Sequence, residues 1–483
     1  MHTNNLFNFE YSYQSLPDKF YSLVKPTSLV NPELVLLNTV LLDELNIASG
    51  KSKEEISVLF KNELSNYPNS FAQAYAGHQF GHFTRLGDGR AIIIGEHVTH
   101  NNERFDIQLK GSGRTIFSRG GDGKATLKAM LREYLMSEAM HYLNIPSSRS
   151  LAVLKTGDEI YRETIQEGAL LLRVMKSHIR IGTFEYARHA GTTDDLRELT
   201  QYTIKRLYPE IEHDENPALS LLHKVLELQI ELVVNWMRVG FIHGVMNTDN
   251  TSISAETFDY GPCAFMNTYH PDTVFSSIDQ NGRYAFVNQA NIIIWNISRF
   301  AETLLPIIDE NIEKSIQLAQ TAIDGFGQIW TEKYYGMMLN KIGIERNNPE
   351  FYALVDELLV LMKNLELDYT NTFLALAQDI DLEENPTNRS EFKPWLEKWK
   401  DTIDQSNGMI GAKQLMKMHN PVFIPRNHLV EQALNEAVEG NFTLFERLLG
   451  VLSNPYQHQP NENSFMLPAD LSFERNYQTF CGT

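Results

Sequence analysis

The residues with the clearest chemistry lie near the middle of the chain. Phe241–Asn250 reads FIHGVMNTDN, and Asp259-Tyr260-Gly261 follows, with Asp259 nine residues after Asn250. Amide and carboxylate oxygens suit a hard cation, magnesium first and manganese as a second choice. Asp249 beside them is an acid able to accept a proton. Upstream, Lys110 ends the run Phe105–Leu109 and is followed by Gly111-Ser112-Gly113. A lysine at a strand end can neutralise phosphate as a point charge. Glu133 lies in the next helical pattern, within reach of pairing with it. Two glycine-rich turns, Gly87-Asp88-Gly89-Arg90 and Gly120-Gly121-Asp122-Gly123, would let backbone amides approach an anion closely. Arg173 and Arg180, in LLRVMKSHIRIG, add two guanidinium groups suited to phosphate. Each piece also has a plainer reading: an ordinary turn, a solvated lysine, a helix start with Asp122 as N-cap, or two salt-bridged arginines. The ordered set Lys110, Glu133, Asn250 and Asp259 is harder to explain that way. It points to a site for a nucleoside triphosphate and a metal ion.

That order resembles the protein-kinase signature of strand lysine, helix glutamate, catalytic loop and Asp-Phe-Gly turn. Laid on His-Arg-Asp-Leu-x-x-x-Asn, His243 and Asn250 fall in register, but Val245 stands where the catalytic aspartate belongs. A valine cannot accept a proton or orient a hydroxyl. Asp249 is the available replacement, with its carboxylate displaced. The Gly120–Gly123 run lacks the Gly-Lys-Ser/Thr ending of a P-loop, so that assignment is rejected.

Several elements must position these residues. Short β segments are expected at Ala91–Gly95, Phe105–Leu109, Leu151–Leu154 and Ala169–Val174, separated by turn residues. A helix is expected over about Lys124–Leu143, with Leu127, Met130, Leu131, Tyr134, Leu135 and Tyr142 as its buried stripe. After residue 185 the pattern turns helical: a helix starting near Thr193, then Pro217–Val239, Ala301–Asp309, Ile312–Ala322, Phe351–Met362, Trp395–Ile403 and Val430–Leu449. The expected fold is α+β, a kinase-like two-lobed fold with N-terminal and helical C-terminal extensions. Its units are an extension at 1–65 with short helices such as Leu34–Leu45, a sheet-rich lobe at 66–176, a helical lobe at 177–340, and a helical extension at 341–483. A cleft between two lobes is a natural nucleotide site.

The bulk numbers exclude several classes. At 483 residues the chain exceeds the size of a single growing core. Its 42% hydrophobic and 21% charged residues are ordinary for a folded protein. A formal charge of −19 argues against a general nucleic-acid binder, which needs a basic footprint. Met1–Leu23 lacks the features of a secretory or transit signal, and no apolar run is long enough to span a membrane. Two cysteines, Cys263 and Cys481, cannot build a disulfide framework or a four-cysteine zinc site. A cytoplasmic protein is expected, and a monomer, since nothing points to coiled-coil assembly.

Longer motifs carry a closer resemblance. These include YAGHQFGHFTRLGDGRA at 75–91, QLKGSGRTIFSRGGDGKATL at 108–127, SHIRIGTFEYA at 177–187, HGVMNTDNTSI at 243–253 and NPVFIPRNHLVEQAL at 420–434. They resemble the selenoprotein O (SelO) family, protein adenylyltransferases with a pseudokinase fold, over nearly the whole chain. The resemblance implies a nucleotide bound inverted, so that AMP from ATP, or UMP from UTP, passes to Ser, Thr or Tyr hydroxyls of protein substrates. By that resemblance Lys110, paired with Glu133, contacts phosphate. Asp122, Gly123, Arg173 and Arg180 form the pocket for the phosphate tail, and Gly87, Gly89 and Arg90 help to bind the nucleotide. Asn250 and Asp259 hold the metal, and Asp249 accepts the proton. Asp122 among phosphates needs a cation nearby, for which Arg90, Arg173 and Arg180 are the candidates. The resemblance also implies a redox contact between Cys263 and Cys481; two free thiols in a reducing compartment remain an equal reading. An ordinary γ-phosphoryl kinase and a non-catalytic ATP-binding scaffold are the alternatives.

Overall fold

The computed structural model describes residues 6–47, 51–64, 67–377, 382 and 385–480. Its first half is built on a nine-stranded sheet in which every pairing is antiparallel. Arg104–Lys110 lies centrally, between Ala91–Val98 and Ile165–Met175, and the last of these pairs in turn with Arg149–Tyr161. Register explains the site. Lys110 lies opposite Leu171 and Gln108 opposite Arg173, while Leu109 lies opposite Leu172 and Ile107 opposite Val174. Side chains alternate between faces, so Ile107, Leu109, Leu172 and Val174 enter one apolar cluster and Gln108, Lys110 and Arg173 share the other face. A slip of one residue would reverse this.

On the Lys110 face lies the helix Leu127–Tyr142, which carries buried Glu133. It starts later than expected. Thr126, not Asp122, is its N-cap, accepting from Ala129 N at 3.4 Å, because Ala125–Thr126 first pairs with Gly168–Ala169 as a strand. The opposite face is covered from the N-terminal region. Leu41, Leu42 and Leu45 pack there with Ile56, Phe60 and Leu64. Glu33–Leu37 is a sheet strand followed by the helix Thr39–Glu44, where a helix had been expected at Leu34–Leu45. Leu34–Leu37 pair with the neighbouring strand, and tertiary pairing overrides local pattern in such short runs.

Helices dominate after residue 180. Ile181–Ala190, Thr193–Leu207, Pro217–Arg238 and Gln289–Ile308 form the body of a second lobe. The pattern at Ala301–Asp309 is the end of the last of these. The run Val430–Leu449 is two helices, Asn427–Val438 and Thr443–Leu452, broken where Gly440 adopts a φ of 93°. A single apolar cluster runs from the Glu133 helix through this lobe into the C-terminal helices. Asn427–Val438 returns to the sheet lobe: Arg132 of the Glu133 helix pairs with Glu431 at 3.1 Å and donates to Cys263 O at 2.7 Å. The sheet lobe with its single large helix, the lysine–glutamate pair between them and the helical second lobe make the kinase-like α+β fold that was expected. Among the described residues no helix is long and apolar enough to cross a membrane.

Candidate active site

A cavity of about 440 Å³ lies between the lobes. Gly87, Gly89, Arg90, Lys110, Asp122, Gly123, Arg173, Arg180, Asp249, Asn250 and Asp259, all named from sequence, line it. Glu133 stands behind them, hydrogen-bonded to Lys110.

The innermost wall is a knot of charge. Lys110 Nζ lies 2.6 Å from Glu133 Oε2 and 2.7 Å from Asp259 Oδ1. Arg173 donates to Glu133 Oε1 from Nε at 2.8 Å, to Asp259 Oδ1 from Nη2 at 2.6 Å, and to Gln108 Oε1 at 3.2 Å. Burial disfavours charge on Asp259 and Glu133, but the cations outweigh it. Lys110 and Arg173 hold the Asp259 carboxyl well below its usual range, and Arg173 and Lys110 lower that of Glu133. Asp259 itself takes a φ of 61°, an uncommon conformation for a residue other than glycine.

Asp249 has different surroundings. It sits in a single 3-10 turn, Thr248–Asn250, between the strand Phe241–Ile242 and the aspartate turn. A hairpin of the sheet lobe, Ala76–Gln79 with His82–Arg85, closes over this loop. Gln79 Nε2 donates to Asp249 Oδ2 at 3.3 Å and Phe80 N to Asn247 Oδ1 at 3.1 Å. His78 N donates to Thr248 Oγ1 at 2.7 Å, and Thr248 donates to Glu185 Oε2 at 2.6 Å. The approach is close: a Cβ on Gly77 would lie 2.3 Å from Asp249 Oδ1. That oxygen is buried and has no hydrogen-bond partner. Burial pushes the carboxyl up to about 6, against the pull of Arg180. Arg180 donates to Asp249 O at 3.0 Å and is stacked 4.0 Å from the Tyr75 ring centroid. Asp88, facing Arg180 at 3.7 Å, is likewise raised by burial, to about 6.

Asn250 donates from Nδ2 to Val245 O at 3.1 Å, which leaves its side-chain carbonyl oxygen for another partner. Val245 itself is buried, 6% exposed. A hard cation would fit Asn250 and Asp259, one neutral and one anionic oxygen donor, with remaining ligands from phosphate and water. No cluster of three or more His, Cys, Asp or Glu suited to a metal occurs among the described residues.

The outer end of the cleft corrects one expectation. The cation paired with Asp122 is Arg162, through Nη1–Oδ2 at 2.9 Å and Nη2–Oδ1 at 3.1 Å, rather than Arg173 or Arg180. Arg162 lowers the Asp122 carboxyl. It follows the strand Arg149–Tyr161 at a hairpin tip, where a charged side chain ordinarily faces solvent. Arg162, Arg119, Lys124, Tyr75 and Gln79 all line the cavity and were not singled out. The glycines of the first turn serve packing as well: a Cβ on Gly87 would meet the Phe117 ring at 2.3 Å, and one on Gly89 would meet Phe117 O at 2.9 Å. Cys263, four residues beyond Asp259, is fully buried, which pushes its thiol up to about 11. Cys481 lies outside the described residues.

Comparison with known proteins identifies the family. A family model described as "Protein adenylyltransferase SelO" matches residues 4–453. A protein of Pelagibacter ubique named "Protein nucleotidyltransferase YdiU" is 50% identical over 479 residues, covering 99% of each chain. Its namesake in Brevibacillus brevis is 50% identical over 481 residues, covering 99% of this chain and 98% of that one. Among solved structures, the "Toxoplasma gondii specific rhoptry antigen kinase domain" matches 65% of this chain and 92% of its own at 13% identity, with a TM-score of 0.25. "ROP2 from Toxoplasma gondii" matches 76% and 96% at 10% identity, with a TM-score of 0.23. Those scores are too low to carry weight. Matched along most of its length and half identical to curated relatives, this chain belongs to the protein adenylyltransferase SelO family.

Proposed function

We infer that the protein transfers AMP from ATP to Ser, Thr or Tyr hydroxyls of target proteins in the cytoplasm, releasing pyrophosphate. One observation carries this reading: the acid lining the cleft beside the acceptor is Asp249, whose buried Oδ1 has no hydrogen-bond partner, while valine occupies the usual kinase position. The triphosphate tail would lie toward Arg162, Arg119, Lys124 and the amides of the Gly120–Gly123 turn, which places the α-phosphate at the charge knot. The acceptor oxygen attacks the α-phosphorus, the bond from phosphorus to the α,β-bridging oxygen breaks to release pyrophosphate, and the hydroxyl proton passes to the Asp249 carboxylate. Burial makes Asp249 a stronger base than a solvated aspartate. Asp259, held ionised, and Asn250 are the residues suited to Mg²⁺ or Mn²⁺, which would supply neutralisation of phosphate charge. Lys110 and Arg173 add fixed positive charge, and Glu133 keeps Lys110 in place. Neither cation needs to reorganise during the reaction.

A kinase would transfer the γ-phosphoryl group, and a scaffold would transfer nothing. The test offers ATP labelled at either the α or the γ position, with Mg²⁺ and a mixed protein acceptor. Label is expected on protein only from the α position, and it should be lost in Asp249→Ala and Asp259→Ala. Labelling from the γ position, or equal labelling by both variants and the parent, would overturn the reading. A parallel arm with α-labelled UTP decides base selectivity.

A further inference from the structure

The cleft shares Phe80 and Ile278 with a second cavity of about 580 Å³. The shared wall is tied to the reaction centre, since Phe80 bonds Asn247 and neighbouring Gln79 bonds Asp249. An acceptor hydroxyl reaching Asp249 therefore arrives beside this opening.

The second cavity is lined by the segment after the aspartate turn and by the first turn of Gln289–Ile308. The segment is braced by its own polar groups. Asp279 accepts from Arg283 N at 2.9 Å and Tyr284 N at 2.7 Å, and Asn288 donates to Gly282 O at 2.8 Å. Gln280, Asn281 and Asn291 are different: all are exposed, and no hydrogen bond among the described residues engages their side chains. A carboxamide both donates and accepts, as the main chain of an extended polypeptide requires. Arg283 also lines the cavity and forms no ion pair among the described residues. Its guanidinium lies 4.9 Å from the Trp295 ring centroid, and its Nε is buried without a partner. A cation seated on an aromatic face keeps its outer donors for a carboxylate. With a net charge of −19, the protein offers acidic chains no general attraction, so recognition of one needs such a local cation.

We propose that this groove holds the stretch of acceptor protein next to the modified hydroxyl in extended form, and that Arg283 selects an acidic side chain within it. The proposal rests on the AMP-transfer reading above. Its test is an oriented library of peptides with a central Ser, Thr or Tyr, labelled with α-labelled ATP by the parent, by Arg283→Glu, and by the exposed-site variants Gln280→Ala and Asn291→Ala. The parent should enrich acidic residues at a fixed offset by about fivefold, and Arg283→Glu should invert the preference to basic residues. The two alanine variants should raise KM for the best library peptide with kcat and ATP affinity unchanged. An unaltered acidic preference in Arg283→Glu, alanine variants with unchanged peptide KM, or no positional preference in the parent would overturn the groove. So would a parent that labels intact proteins but no peptide, since docking would then need a folded surface. A parent that binds ATP and labels nothing would sink the AMP-transfer reading itself, and the groove with it.

Discussion

Asp249 and Asp259 stand ten residues apart and line one cavity, yet the protein treats them in opposite ways. Asp259 meets Lys110 and Arg173 within hydrogen-bond distance and is held ionised. Asp249 is covered by the Ala76–Gln79 strand, keeps one oxygen unpartnered and is raised to about 6. The first arrangement suits a permanent anion that anchors cations. The second suits a group that must take up a proton. Identical side chains acquire different roles because charge compensation dominates at one and desolvation at the other.

The comparison can be broken most severely at Asp249. Asp249→Asn should lower kcat for AMP transfer by about 10²–10⁴-fold, with KM for ATP nearly unchanged. The unliganded variant should unfold at the same denaturant concentration as the parent or a higher one, because a poorly compensated buried acid has been removed. Asp259→Asn should also abolish transfer but with lower stability, since Lys110 and Arg173 lose an anion. Arg173→Met attacks the same knot from the other side. Leaving Glu133 and Asp259 short of a cation should cost about 3 kcal/mol in denaturant unfolding. A loss under about 0.5 kcal/mol would mean that Lys110 alone balances both acids.

Glu256 sharpens the comparison outside the cleft. It is buried, its donors among the described residues are Ser254 Oγ and Lys176 N, and burial raises it from 4.5 to about 7. A raised acid makes the folded state prefer the protonated form. Its contribution is fully present below pH 4.5 and declines as pH rises through about 7. The loss should be roughly 3 kcal/mol, and Glu256→Gln should flatten that part of the stability–pH curve. An unchanged curve would show that Glu256 is better solvated than its burial implies.

Part of the site was legible because its residues carry unusual chemistry in a fixed order. Lys110, Asn250 and Asp259 stand in the order of a kinase-like site and all line one cavity, and Val245 with Asp249 marks the departure from the kinase pattern. The strands and the Glu133 helix show through their periodicity. The hairpin over Asp249 was not legible. Its turn is Phe80-Gly81, with φ of 51° and 86°, and phenylalanine is not a residue that signals such a turn. Phe80 is held there by Asn247, far away in sequence. Arg162 escaped notice because a charged hairpin tip normally faces solvent. The C-terminal helix Asn427–Val438 likewise gave no sign that it braces the Glu133 helix through Glu431.

The amino-acid sequence by itself determined the inventory of candidate site residues and their order, since side-chain type and spacing are local properties. Only the tertiary structure decided which acid is ionised and which is poised, which arginine neutralises Asp122, and what covers the catalytic loop. Those outcomes depend on distances and burial between segments separated by tens to hundreds of residues. A carboxylate's pKa is set by what surrounds it, and no stretch of sequence contains its own surroundings.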